Sequence, residues 1–136
     1  MGNDFAARRE SYVETWDEPY ALVSLCSLIT DPDSFDKENV RLIGVIDWEA
    51  EGDKVCLHKE DLKYGLLQNC LSVEIDSKQR EATYESLFKM NKDYVVMDGV
   101  FDKDGFGGVF AGSIRGVRQI RGWGSAESWR LRLHYK

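Results

Sequence analysis

The chain has 136 residues, 43% of them hydrophobic and 31% charged, which is the size and balance of one folded domain and excludes a disordered tail. Its formal net charge of -6 disfavours a surface that tracks nucleic-acid phosphates and favours a basic partner. No apolar run reaches signal-peptide or membrane-span length, and Ala6 stands where a myristoylation signal needs Ser or Thr, so a cytoplasmic chain without membrane attachment is expected.

Residues 1–19 are polar, with Phe5, Tyr12 and Trp16 spaced four to seven apart as one helix face requires, and predict an N-terminal docking helix. Over Tyr20–Thr30 the residues Leu22, Leu25, Cys26 and Ile29 keep helical spacing, and Asp31-Pro32-Asp33 stops the helix. Val40–Trp48 is β-branched and largely apolar, a long strand with Gly44 as a bulge or sharp bend. Glu49–Lys54 reads as the turn and Val55–His58 as the returning strand, which gives a hairpin with an acidic tip.

Lys59–Tyr64 adds a turn of helix closed by Gly65. Asn69–Asp76 alternates around Leu71, Val73 and Ile75, the pattern of a half-buried strand whose polar face meets solvent. The charged stretch Ser77–Asp93 holds a helix around Tyr84–Phe88. Tyr94–Phe101 and Val109–Val117 flank the glycine-rich loop Asp102–Gly108 and form a second hairpin. Ser128–Tyr135 alternates as a strand would, while Ser125 before Ala126-Glu127 equally fits the cap of a terminal helix.

Five short strands with glycine kinks favour closure, which removes exposed sheet edges. The expected fold is mainly β (α+β): residues 1–136 form a single domain, an OB-like antiparallel β-barrel with short N-terminal helices. Its barrel core spans 20–120 and a C-terminal strand or helix spans 121–136.

The segment Ser24–Phe35, with its Pro32 to Phe35 step, followed by Val40-Arg41-Leu42-Ile43-Gly44, resembles the entry to small bacterial OB-like domains. Tyr94–Asp102 and Phe110–Ile114 resemble the closing strands of the same modules, so the resemblance covers roughly 22–120 and implies a fold rather than a function. Such barrels commonly hold single-stranded nucleic acid on stacked aromatics in a basic groove. Trp48, Tyr64, Phe101, Phe106 and Phe110 supply rings here, but the first hairpin carries carboxylates in place of Lys or Arg. A basic stretch does follow, at Arg115, Arg118, Arg121, Arg130 and Arg132, readable as a local patch or as a solvated strand face. In gross character the chain is also similar to the immunity proteins with which bacteria neutralise toxins, and that similarity implies an acidic surface complementary to a basic toxin.

No complete catalytic constellation is present. His58 beside Lys59-Glu60-Asp61 lacks a nucleophile at a readable spacing, and only one further imidazole, His134, exists, so His58 is expected to be structural. Cys26, Cys56 and Cys70 lack zinc spacing and, being odd in number and set among apolar residues, are expected as reduced, buried thiols. Counting a calcium loop from Asp102 puts Gly107 at the sixth position but Ser113 at the twelfth, so a turn is expected. Gly105, Gly107, Gly108 and Gly112 have no Gly-Lys-Ser/Thr after them and read as hairpin bends.

Asp47, Glu49, Glu51 and Asp53 alternate along the first hairpin, so an extended backbone sets them on one face with Trp48 opposite. These four carboxylates, with Trp48 and Phe106 as aromatic anchors, are the expected partner-binding residues of a non-enzymatic protein. No cofactor or metal is expected. The partner is expected to be a protein, with a basic toxin as its sharpest form.

Overall fold

The computed structural model describes residues 21–49, 52–122 and 130–132, so the docking helix expected over 1–19 lies outside the described residues. In chain order the elements are β1 (Ala21–Leu22), α1 (Leu25–Thr30), β2 (Asn39–Asp47), β3 (Asp53–Cys56), α2 (Lys59–Tyr64) and β4 (Cys70–Val73). They continue as α3 (Ser77–Ala82), α4 (Tyr84–Lys89), β5 (Tyr94–Asp102), β6 (Ser113–Gly122) and β7 (Arg130–Arg132).

Local chemistry sets several of these limits. The Ser24 side chain accepts from the Ser27 amide and starts α1, which buries Leu25 and Leu28 and ends before Pro32. Gly65, at φ 65°, closes α2 in the left-handed conformation that a side chain would resist.

Pairing runs from β2 to β3, β4, β6 and β5 and then returns to β2, so five strands close into an OB-like barrel. The barrel is mixed rather than purely antiparallel, because β4 and β6 pair in parallel at Ser72↔Ser113 and Val73↔Ile114. Five strands cannot alternate direction around a closed ring, so one parallel seam is unavoidable. β1 joins β2 in parallel outside the ring, and β7 pairs with β6 at Gln119↔Arg132 to Arg121↔Arg130, which makes this part of the tail a strand.

Inward residues form the core: Val40, Leu42 and Ile46 of β2, Leu71 of β4, Met97 and Phe101 of β5, and Ile114 and Ile120 of β6. Helices α1 and α4 add Leu25, Leu28 and Leu87. The β2–β5 register is continuous through Gly44↔Val95, so the bulge expected at Gly44 is absent from that ladder. Gly44 instead permits a close approach, since a Cβ there would lie 2.7 Å from Val55 Cγ2 and 2.8 Å from the Cys56 carbonyl. The register shift falls between Asp98 and Val100 on the β5–β6 ladder.

Three further expectations are corrected. β6 begins at Ser113 and not at Val109, because Ala111 and Gly112 hydrogen-bond to Cys70 and Ser72 of β4 instead of pairing with β5. All four residues of β4 are buried, Ser72 included, and exposure returns from Glu74 onward. Cys56 and Cys70, opposite each other in the β3–β4 ladder, form a disulfide, whereas Cys26 is free and exposed. Among the described residues no helix is long and apolar enough to cross a membrane.

Candidate functional site

The first hairpin gathers three of the four expected carboxylates, and each meets a cation. Asp47, the last residue of β2, lies 3.0 Å from Lys54 Nζ and 2.9 Å from Lys92 Nζ. Burial pushes its carboxyl up, but interactions with Glu49, Lys92 and Lys54 outweigh this and hold it at about 2. Burial pushes the Lys54 ammonium down, and Glu49 at 2.8 Å together with Asp47 raises it above its ordinary value.

Asp53 receives a two-pronged bond from Arg80, Nε to Oδ2 at 2.6 Å and Nη2 to Oδ1 at 2.7 Å. Arg80 Nη2 also donates to the Glu49 carbonyl at 3.1 Å, and Asp53 Oδ1 accepts from the Glu49 amide at 3.1 Å. The bond to Asp53 raises the Arg80 guanidinium above its usual range, opposed by burial. Arg80 is delivered by α3, whose first turn is fixed by the Asp76 carboxylate accepting from the Lys78 and Gln79 amides.

Trp48 is turned into the core at 5% exposure, with its amide donating to Asn91 Oδ1 at 2.8 Å and its indole Nε1 without a hydrogen-bond partner among the described residues. Glu51 lies outside the described residues. Phe106 sits in the 3-10 turn Gly105–Gly108 between β5 and β6, and its side chain lies outside what is described. Asp47, Glu49 and Asp53 are therefore brought together, with only Glu49 exposed among them.

Beside this cluster runs an open groove of about 540 Å³. Leu67, Val73, Ile75 and Phe110 supply its apolar lining, Glu49 and Glu74 stand exposed along it, and the Asp53–Arg80 pair joins hairpin to helix. Leu67, Glu74 and Arg80 were not legible as site residues, because they reach the groove from the excursion before β4, the end of β4 and α3. They share no sequence signal: Glu74 lies within the strand expected over Asn69–Asp76, Leu67 precedes it and Arg80 follows it.

His58 and the Asp102 loop are engaged in local contacts. The His58 amide donates to buried Asp61 Oδ2 at 2.7 Å at the start of α2, and Asn69 Nδ2 donates to Asp61 Oδ1 at 2.9 Å. Asp102 accepts from Lys37 Nζ and from the Asp104 amide, both at 3.0 Å, and pairs with Arg115. Among the described residues no group of three or more His, Cys, Asp or Glu is placed to hold a metal ion. Arg115, Arg118 and Arg121 lie on β6, outside the groove lining. No protein-family model, curated protein or solved structure matches the chain.

Proposed function

We propose that this domain is a non-enzymatic binding protein whose groove holds a cationic, partly apolar segment of a protein partner, and that it serves as an immunity protein against a basic bacterial toxin. The observation that carries the reading is the state of the charges around the groove. Lys54 and Arg80 are already engaged by Asp47, Glu49 and Asp53, whereas the side chain of Glu49 keeps 46% exposure and Glu74 faces solvent. The potential left for a newcomer is negative, above an apolar floor, which suits a lysine or arginine flanked by apolar side chains.

The test is titration calorimetry with the product of the neighbouring gene. A one-to-one complex weakened about tenfold or more by Glu49→Lys combined with Glu74→Lys is expected; an unchanged affinity would remove the groove from the interface. Disulfides persist in oxidising compartments, so the Cys56–Cys70 bond argues against the cytoplasmic placement expected from reduced thiols. Cell fractionation with thiol labelling decides between the two.

An OB-type module for an oligonucleotide or another small ligand is the second reading. It is favoured by the position of the groove on the second and third barrel strands, beside the loop that carries Phe110, where OB barrels take such ligands. Salt-steep binding of short oligo-dT, lost on Phe110→Ala, would put this reading first.

A further inference from the structure

The groove does not end at Arg80. The Arg80 guanidinium carbon lies 6.0 Å from the centroid of the Tyr84 ring, and Tyr84 stacks with Phe88 at 5.9 Å between centroids and 25° between planes. These residues, four apart, run from α3 into α4 beside buried Leu87. Tyr84 is 49% exposed and Phe88 56%, so the two stacked rings present a joint apolar surface.

We propose that Arg80, Tyr84 and Phe88 form the second half of the interface, a ridge on which an arginine or lysine of the partner stacks over Phe88. The inference rests on the reading of the groove as a site for a cationic protein segment. The ridge already shows the interaction in one register: Arg80 covers Tyr84, while among the described residues no cation lies over Phe88. An incoming cation continues the alternation of charge and ring. Of the exposed charges that directly follow the three ridge residues in the chain, Glu81 and Glu85 outnumber Lys89, while Asp53 answers the charge of Arg80, so the balance beside the ridge favours a cation.

Dimensions agree as well. Two steps of about 6 Å separate Arg80 from Phe88, which roughly four residues of an extended chain cover at ~3.3 Å each. Since Arg80 also lines the groove with Glu49 and Glu74, a segment that follows the ridge past Arg80 enters the groove, with one cationic side chain for its carboxylates and another for Phe88.

The experiment is an NMR titration of the ¹⁵N-labelled full chain with a synthetic peptide of alternating arginine and leucine. A glutamate–leucine peptide and oligo-dT serve as comparison probes. Expected are amide shifts over Glu81–Lys89 together with Glu49 and Glu74, and an affinity lowered about fivefold by Phe88→Ala and equally by Phe88→Leu, which keeps apolar area without a ring. Both variants change an exposed residue, and their spectra report directly whether they fold.

Native affinity in Phe88→Leu, or shifts confined to the groove with Phe88→Ala unaffected, overturns the ridge and leaves the groove reading standing. Equal binding of the glutamate–leucine peptide, or a concentration-dependent dimer abolished by Phe88→Ala, also overturns it, the latter by assigning the ridge to a second copy of the chain. No shift with the arginine–leucine peptide, or tighter binding of oligo-dT on the same residues, overturns the groove reading along with it.

Discussion

Asp47 is a buried carboxylate answered by lysines from two different segments, Lys54 of β3 and Lys92 of the turn after α4. Its folded value of about 2 lies below the ordinary 3.8, so its contribution to stability is complete above about 3.8 and is lost as pH falls through 2. Asp47→Asn is expected to cost on the order of 2 kcal/mol at neutral pH and to flatten the fall of the urea midpoint below about pH 4. Arg80 makes a second, geometric demand. Lysine cannot reproduce its parallel bonds to Asp53, so Arg80→Lys is expected to lose about 2 kcal/mol, read from the same unfolding curves, despite retaining the charge. At this scale the sequence was half informative. Alternation marked Asp47, Glu49 and Asp53 as a group, but no periodicity names a partner 27 residues away, as Arg80 is from Asp53.

Elements were more legible than their surroundings. The hydrophobic run of β2, the Gly65 stop of α2 and the strand–loop–strand of β5 and β6 follow from local backbone chemistry, and the structure places them within a few residues of expectation. Some misses are local, such as the strand Ala21–Leu22 where helical spacing was read and the unforeseen α3 with its Asp76 cap, but the more consequential ones are non-local. Burial of Ser72 and pairing of Cys56 with Cys70 depend on which strands become neighbours, and an antiparallel register sets those cysteines opposite each other despite a separation of 14 residues. Gly44 belongs to the same class, since its reason is another strand's side chain and not its own backbone angle. Gly44→Ala is therefore expected to destabilise by about 3 kcal/mol, measured as a lowered chemical-denaturation midpoint, because Val55 and the Cys56 carbonyl would both have to retreat from the new methyl.

For the whole molecule, the order of the five barrel strands was beyond the reach of periodicity, yet closure itself was expected from their number and the edges that an open sheet would expose. Closure is what creates the groove, by bringing the β2–β3 hairpin, the end of β4 and the loop before β6 to one place. The ring is not equally strong all round. Seven residue pairs join β2 to β5, whereas two join β4 to β6, supported by the Ser72 amide on the Gly112 carbonyl and the Glu74 amide on the Ile114 carbonyl. The parallel seam is the shortest pairing of the ring and is therefore expected to open first, with β3 and β4 moving together because Cys56–Cys70 fastens them. Native-state hydrogen exchange should find the Ser72 and Glu74 amides opening at a lower free energy than those of the β2–β5 ladder. A bound partner lying across Val73 and Ile75 would then act as a bolt on that hinge, slowing exchange at two amides that it need not touch.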